Sequence, residues 1–358
     1  MRYRKLGNTG IWVSEIGFGT IPVLSGNVPV LPEYFNLDLE EALSVFEYAY
    51  QLGCNLYDTA IVPEYGDAEI KTGIFASKVG RKNLIISDKA RFYTGNEIYQ
   101  AVQCSYENLG TYADLYFVHQ ADEKNAEQIF ERYGALDALV ECKAEGKIRF
   151  VGIASHYYSV LYRGACDERV DVLQGSGNIL ECGMLNRIEQ EPLFRKKGFL
   201  LNKVYAAGIL PSFFPVSVLI GGALSYPISS ALIGLGTIEQ VKQAMEGKVL
   251  YRRYAFEDVI VRLEQAFLPI GCDRCQKCCC PYGVEISVLF RQYHYYFLGK
   301  DYWALRKLDM NVRECAVLCE QCKEMLCLQQ CPRKIRIPEM VQQICELTKR
   351  HVRNGWIK

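Results

Sequence analysis

Two sets of residues in this chain could do chemistry, and the first is a crowd of cysteines. Ten of the 16 cysteines lie between Cys272 and Cys331. They form two blocks. One is Cys272-Asp273-Arg274-Cys275-Gln276-Lys277-Cys278-Cys279-Cys280-Pro281. The other is Cys319-Glu320-Gln321-Cys322, followed by Cys327-Leu328-Gln329-Gln330-Cys331-Pro332. Three thiolates at two-residue gaps can wrap one face of an iron–sulfur cubane, and a remote Cys-Pro supplies the fourth ligand, often to the other cluster of a pair. That logic gives Cys272, Cys275, Cys278 and Cys331 to one [4Fe–4S] cluster, and Cys319, Cys322, Cys327 and Cys280 to a second. Cys279 and Cys315 are left over and can substitute, so the count stays open between two clusters and one.

Zinc is a rival, because it takes four ligands from paired cysteines. Triplets followed by Cys-Pro favour iron–sulfur over it. Cys315, Cys319 and Cys322 also spell the triplet of radical-SAM enzymes, but that reading leaves Cys327 and Cys331 unexplained. A disulfide framework needs an oxidising compartment, and the basic start Met1-Arg2-Tyr3-Arg4-Lys5 is followed by no apolar signal core. The expectation is a cytoplasmic, metal-binding protein.

The second set is polar residues that directly follow apolar runs. Asp58 follows Asn55-Leu56-Tyr57, Lys89 follows Leu84-Ile85-Ile86-Ser87-Asp88, and His119 follows Leu115-Tyr116-Phe117-Val118. Ser155 and His156 follow Phe150-Val151-Gly152-Ile153-Ala154, and Gln174 follows Val170-Asp171-Val172-Leu173. Singly, each has a plain structural use: a helix cap, a snorkelling cation, a satisfied strand-end histidine. Together, a carboxylate, a cation and an imidazole at successive strand ends read as one pocket.

The elements that must place them alternate. Eight apolar runs read as buried strands: 13–18, 55–57, 84–86, 115–118, 150–153, 170–173, 200–205 and 231–233. Helical spacing of apolar residues falls between them at 39–52, 96–109, 126–145 and 238–245. Strand–helix alternation argues for a parallel sheet, and eight strands in this length suit a (β/α)8 barrel, whose active sites lie at the C-terminal mouth. An open doubly wound sheet is the alternative, but no Gly-rich fingerprint follows the first strand. The barrel is expected over residues 1–268 and a small, mainly helical domain over 269–358.

Composition excludes several functions. The chain has 358 residues, with 41 basic and 41 acidic side chains, so no global charge draws it to nucleic acid or an anionic membrane. The tyrosine-rich stretch at 293–302 lacks the basic groove that base stacking needs. Residues 204–238 carry no charge, long enough to span a bilayer, yet Pro211, Pro215 and Pro227 interrupt them. A buried strand–helix–strand unit is the expected form, with no membrane span.

Here a resemblance enters. Arg4-Lys5-Leu6-Gly7-Asn8-Thr9-Gly10 and Val13-Ser14-Glu15-Ile16-Gly17-Phe18-Gly19-Thr20 resemble the opening of the aldo-keto reductase family. Asp58-Thr59-Ala60 and Tyr65-Gly66-Asp67-Ala68-Glu69 resemble its catalytic aspartate and tyrosine, and Lys89 and His119 the rest of its tetrad. The resemblance implies a nicotinamide-dependent oxidoreductase acting on a small carbonyl or alcohol. Tyr65 would be the general acid, its phenol lowered by Lys89, with Asp58 pairing with Lys89 and His119 at the carbonyl oxygen. It further implies cofactor contacts at Gly19, Thr20, Ser155, His156, Gln174 and Tyr205, with the cofactor phosphates at Gly234, Gly236 and Thr237, before a helix N-terminus suited to an anion. Two departures stand out. The family's tyrosine follows the aspartate by five residues, where this chain has Pro63 and reaches Tyr65 through a two-residue insertion. The arginine that meets a 2′-phosphate is absent from 237–243, so NAD and NADP are not separated.

The cysteine half resembles the ferredoxin-type domain fused behind some members of that family, although the Cys278–Cys280 gap is one residue short and the Cys322–Cys327 gap two long. Nicotinamide moves two electrons and each cluster one, so direct exchange calls for a flavin in the barrel or on a redox partner protein, or else the clusters are structural. The alternative reading is an electron-transfer or scaffold protein whose barrel docks a redox partner. The substrate loops at 21–37 and 211–216 carry no anchor chemistry that names a substrate.

Overall fold

Parallel strands buried on both faces need apolar residues at nearly every position, and the short runs of this chain meet that demand. The computed structural model describes residues 1–25, 36–264, 269–299 and 302–353. Part of the expected substrate loop, 26–35, and the expected domain boundary at 265–268 lie outside them. The chain divides into two compact units, one of residues 1–177, 188–205 and 214–253, the other of 178–187, 206–213 and 254–358.

The first unit opens with an antiparallel hairpin, β1 (Tyr3–Lys5) and β2 (Trp12–Ser14). There follow β3 (Ile16–Gly19), α1 (Leu39–Gln51), β4 (Leu56–Asp58), α2 (Ala68–Val79), β5 (Ile85–Ala90), α3 (Gly95–Leu109), β6 (Ala113–Ala121), α4 (Ala126–Phe130), α5 (Ala135–Ala144), β7 (Ile148–Ser155), α6 (Tyr158–Cys166) and β8 (Val172–Ser176). After α7 (Cys182–Gln190), whose residues 182–187 belong to the second unit, come β9 (Gly198–Asn202), α8 (Val216–Leu224), β10 (Ser230–Gly234) and α9 (Ile238–Met245). Strands β3 to β10 close in sequence order into an all-parallel barrel, β10 pairing with β3. The eight-stranded barrel expected from the alternation is present.

Details differ from the pattern reading for physical reasons. The run 13–18 is cut after Ser14: its first part joins the hairpin and its second the barrel. The hairpin side chains Leu6, Ile11 and Val13 pack on Leu56, Leu115, Val172 and Leu232, sealing the core from below. The helix expected at 126–145 is two helices. Tyr133 and Gly134 divide them, Tyr133 with a left-handed φ of 63° and Gly134 so close to the Gln128 carbonyl that a Cβ would stand 2.3 Å from it. The uncharged stretch 204–238 resolves into a short 3-10 turn, α8 and β10, and no helix among the described residues is long and apolar enough to cross a membrane.

Helix starts follow local chemistry. Asp38 and Glu41 form a reciprocal capping box on α1, and Thr94 caps α3. Phe18, Phe46, Tyr57 and Phe75 pack ring against ring, with centroids 5.1–5.4 Å apart, and join β3 and β4 to α1 and α2.

The second unit is helical: α10 (Phe256–Leu263), α11 (Ile286–Gly299), α12 (Tyr302–Gln321), α13 (Leu326–Gln330) and α14 (Ile337–Arg353). Its core is Ile286, Leu289, Phe290, Leu308, Val312, Val341 and Ile344, against which most of the clustered cysteines pack.

Helix α2 approaches α3 at Gly73, where a Cβ would stand 2.2 Å from the Leu109 carbonyl oxygen. Backbone cannot yield there, so Gly73→Ala is expected to destabilise the first unit by about 1–3 kcal/mol, read from the shift of its urea midpoint.

Candidate active site

The mouth of the barrel collects the residues that follow the strands. Asp58 ends β4 and Lys89 lies in β5, one strand over. The Lys89 ammonium donates to Asp58 Oδ2 at 2.7 Å and to the Thr59 carbonyl at 2.6 Å, with both side chains almost fully buried. The other Asp58 oxygen accepts from Ser87 Oγ at 2.6 Å and Gln174 Nε2 at 3.0 Å. Both carboxylate oxygens are therefore satisfied, which a buried charge requires. Burial opposes the charge on Lys89, but Asp58 and the Tyr65 oxygen outweigh it and hold the ammonium above its ordinary value.

Tyr65 reaches this pair despite the departure in spacing. Pro63-Glu64-Tyr65 is a 3-10 turn, with Pro63 at its start, where its fixed φ suits the turn and its missing N–H costs nothing. The turn carries Tyr65 over Lys89, whose ammonium lies 5.2 Å from the ring centroid. Lys89 pulls the phenol down as expected, but burial is the larger effect and the net value is raised.

His119 sits in β6 beside an irregularity in register between Val118 and Ala121, where Gln120 has a φ of 54°. Such bulges re-aim side chains next to active sites. Its Nδ1 is buried without a hydrogen-bond partner. Burial first, then the charges of Lys89, Arg91 and Lys203, push the imidazole well below its usual value, so it is neutral at physiological pH.

The expected cofactor contacts divide. Gln174 keeps Oε1 unpartnered in the interior, as does Tyr205 its hydroxyl. Tyr205 stands beyond the end of β9 rather than in the strand. Ser155 is engaged: its hydroxyl donates to the Ala121 carbonyl at 2.6 Å and accepts from the Tyr157 N–H at 3.0 Å. His156 Nδ1 meets Ser176 Oγ at 2.9 Å. Thr20 is tied by its N–H and hydroxyl to the Asp58 carbonyl, at 2.9 and 3.1 Å. Gly19 and Gly234 pair across β3 and β10, a Cβ on Gly19 standing 3.3 Å from the Gly234 backbone. At the start of α9, Thr237 caps the helix through the Gln240 N–H, and Gln240 Oε1 accepts the Gly236 N–H at 2.8 Å. One N–H of the expected phosphate segment, that of Gly236, is thus engaged by the chain's own Gln240.

Sequence reading passed over Ser87, Arg91, Glu64, Lys203 and Asn202. Arg91 pairs with Glu64 at 2.9 Å, next to Tyr65. Ser87, Lys89 and Arg91 are spaced by two and so share a face of β5, the signal that finds the first and third once Lys89 is known.

All eight proposed cluster ligands lie in the second unit. Cys272, Cys275, Cys278 and Cys331 line one cleft of about 340 Å³, counted out to its open side, with Asp273, Phe290, Arg333 and Ile337. Arg333 reaches Asp273 at 3.1 Å, and Asp273 Oδ1 accepts the Cys275 N–H, so an ion pair ties the triplet to the remote Cys331-Pro332. The remaining four also keep company: Cys319 feels Cys280, Cys327 and Cys322, and Cys315 besides. All are free thiols, and burial first, then neighbouring cysteines, push Cys278 and Cys319 up to about 11. Among the described residues no three metal-binding side chains converge on a single point.

Removing one member of the buried pair strands the other. Asp58→Ala is expected to cost about 3–5 kcal/mol in urea unfolding, and adding Lys89→Met in the same chain to recover much of that loss.

Comparison with known proteins agrees with this geometry. Residues 15–225 match the model of the aldo/keto reductase family. The chain is 31% identical over 161 residues to L-galactose dehydrogenase of Arabidopsis thaliana, covering 42% of this chain and 47% of that one. It is 27% identical over 253 residues to the NADH-specific methylglyoxal reductase of Escherichia coli, covering 62% and 73%. The match thus spans about half the length of the plant relative. Among solved structures, an aldo-keto reductase from Bacillus halodurans in its holo form superposes with a TM-score of 0.57 at 20% identity, over 74% of this chain and 96% of that one, a likeness of fold. With a family match running through β4, β5 and β6, and Asp58, Tyr65, Lys89 and His119 gathered at the mouth those strands build, the chain belongs to the aldo/keto reductase family.

Proposed function

We propose that the barrel catalyses nicotinamide-dependent interconversion of a small carbonyl compound and its alcohol, with Tyr65 as general acid and base. The observation that carries this reading is the Tyr65 ring 5.2 Å from the Lys89 ammonium, which Asp58 holds at 2.7 Å at the barrel mouth. Bound NADH or NADPH would supply hydride to the carbonyl carbon. Tyr65 gives its proton to the carbonyl oxygen as negative charge develops there, and Lys89 stabilises the phenolate left behind. Asp58 keeps Lys89 charged and in place. His119, neutral, hydrogen-bonds to the carbonyl oxygen and sets its angle. In the reverse direction the phenolate takes the alcohol proton. The unpartnered oxygens of Gln174, Asn202 and Tyr205 suit the amide and hydroxyl donors of a nicotinamide nucleotide. The family match favours the enzyme over the docking-scaffold alternative. A relative named a methylglyoxal reductase makes that dicarbonyl the first substrate to assay.

The cysteine unit, read as residues 269–358, would hold [4Fe–4S] clusters. Cys272, Cys275, Cys278 and Cys331 would hold one, since all four line the same cleft and carry the triplet-plus-Cys-Pro spacing. Cys280, Cys319, Cys322 and Cys327 would hold the second. The clusters would supply one-electron transfer, with a flavin or a redox partner protein converting between one and two electrons, or would serve structure alone.

Three measurements test these readings. Tyr65→Phe should lower carbonyl reduction by about 10²–10⁴-fold and leave iron content unchanged; wild-type turnover would remove Tyr65 from the reaction. Cys275→Ala should lose iron while the barrel stays folded by circular dichroism. In an anaerobic titration with NADH or NADPH, bleaching of cluster absorbance as nicotinamide is consumed would join the two units in one electron path. Clusters that stay oxidised would leave them structural or served by an outside donor.

A further inference from the structure

Behind Lys89, on the opposite face of β5, lies Asp88, with no exposed surface, and Glu69 in the first turn of α2 is 2% exposed. The two carboxyl groups are neighbours, and Glu69 is the group whose charge acts most strongly on Asp88. Glu69 Oε2 accepts from Asn108 Nδ2 at 2.6 Å, and Asp88 Oδ1 from the Lys89 N–H at 2.8 Å. The remaining oxygens, Glu69 Oε1 and Asp88 Oδ2, are buried and take no N–H or O–H from the described residues. An ionised carboxylate only accepts, so two facing acceptors without a donor need a proton of their own.

The surroundings do not supply another solution. On β5, the Lys89 ammonium is committed to Asp58 and Thr59 on the other face. On α2, Lys71 serves the carbonyls of Val23 and Leu37, the Ser25 hydroxyl and Asp67. On β6, Tyr116 is bonded to Ser105 of α3, and Tyr65 is turned to Lys89. Asn108, also on α3, is neutral. Among the described residues, what is left to compensate them is a proton held by the pair itself.

We propose that Glu69 and Asp88 share a single proton, and that this carboxyl–carboxylate bond fixes the start of α2 on β5 and so sets Tyr65 over Lys89. The chain makes the coupling short. Asp88 adjoins Lys89, and Glu69 follows Tyr65 by four residues. A change of spacing at the pair therefore reaches both ends of the Tyr65–Lys89 contact. Glu69 and Asp88 are positioning residues, and this second half rests on the proposed role of Tyr65.

The pH behaviour follows with a definite sign. Burial first, and then the charge of Glu69, hold the Asp88 carboxyl well above its ordinary range. The folded state thus binds more protons than the unfolded one. Stability is full at low pH and falls as pH rises through and beyond the ordinary carboxylate range.

The test compares urea unfolding of the full chain at pH values from about 5 to 9. Asp88→Asn replaces the shared proton with a permanent amide donor of nearly the same shape. Its urea midpoint should decline less steeply with pH than the parent's, and Glu69→Gln should do the same from the other partner. Equal slopes in parent and both variants would overturn the shared proton, whatever the fate of activity. With NADH and methylglyoxal as the assay, Asp88→Ala should lower kcat by about tenfold with KM little changed, and Asp88→Asn should restore most of it. Parent-like kcat in Asp88→Ala would overturn the positioning role. If Tyr65→Phe kept full activity, the reading of the reaction would fall, while the unfolding slopes would still decide the proton.

Discussion

An ammonium and a carboxylate out of reach of solvent are stable only together, and the mouth of this barrel is organised around that necessity. The Lys89–Asp58 pair spans two neighbouring strands, so its 2.7 Å contact depends on the register in which β4 and β5 are paired. Ser87 and Gln174 complete the carboxylate, which adds a dependence on β8, across the barrel from β4. Thr20 then anchors β3 to the Asp58 backbone. A pair of charges thus draws four strands into one polar layer above an apolar core. Loosening any of them leaves a buried charge short of partners, which costs more than the pair itself returns.

Two local irregularities finish the site, and both sit where regular geometry would have missed. The 3-10 turn begun by Pro63 moves Tyr65 onto Lys89 after an insertion that would otherwise carry it past. The break in register beside His119 places an imidazole directly after the apolar run Leu115–Val118. Burial then sets the electrostatics. It neutralises His119 outright, and it outweighs the pull of Lys89 on Tyr65. In the proposed reaction the phenol therefore enters as a proton donor that a bound cofactor and substrate must help to ionise.

The cysteine unit solves a different problem, that of bringing sequence-distant cysteines to one cleft. Cys331 stands more than fifty residues beyond the triplet that begins at Cys272. The ion pair between Arg333 and Asp273 clasps the two segments, and the apolar wall of Phe290 and Ile337 closes the cleft behind them. Partial burial and neighbouring cysteines raise the thiols of Cys278 and Cys319, which disfavours the thiolate form that a cluster would stabilise.

Periodicity alone announced the barrel, because a strand buried on both faces has no other composition available to it, and strand ends announced Asp58, Lys89 and His119, because a polar residue directly after such a run has few places to go. Tyr65 was read through its resemblance to a family motif, and the shared cleft of Cys272, Cys275, Cys278 and Cys331 follows their spacing. What the chain's pattern could not show is whatever depends on register and packing between segments far apart in sequence. Gln174 turned its amide to Asp58, Gln240 occupied the N–H expected for a cofactor phosphate, and Ser155 spent its hydroxyl on the Ala121 carbonyl. Glu69 and Asp88 look in sequence like an ordinary helix-start acid and a strand residue, and only the packing of α2 on β5 presses them together. Sequence determines which groups exist and the face each takes within its own element. Tertiary structure decides which groups meet, and in a buried site the meeting sets their charge.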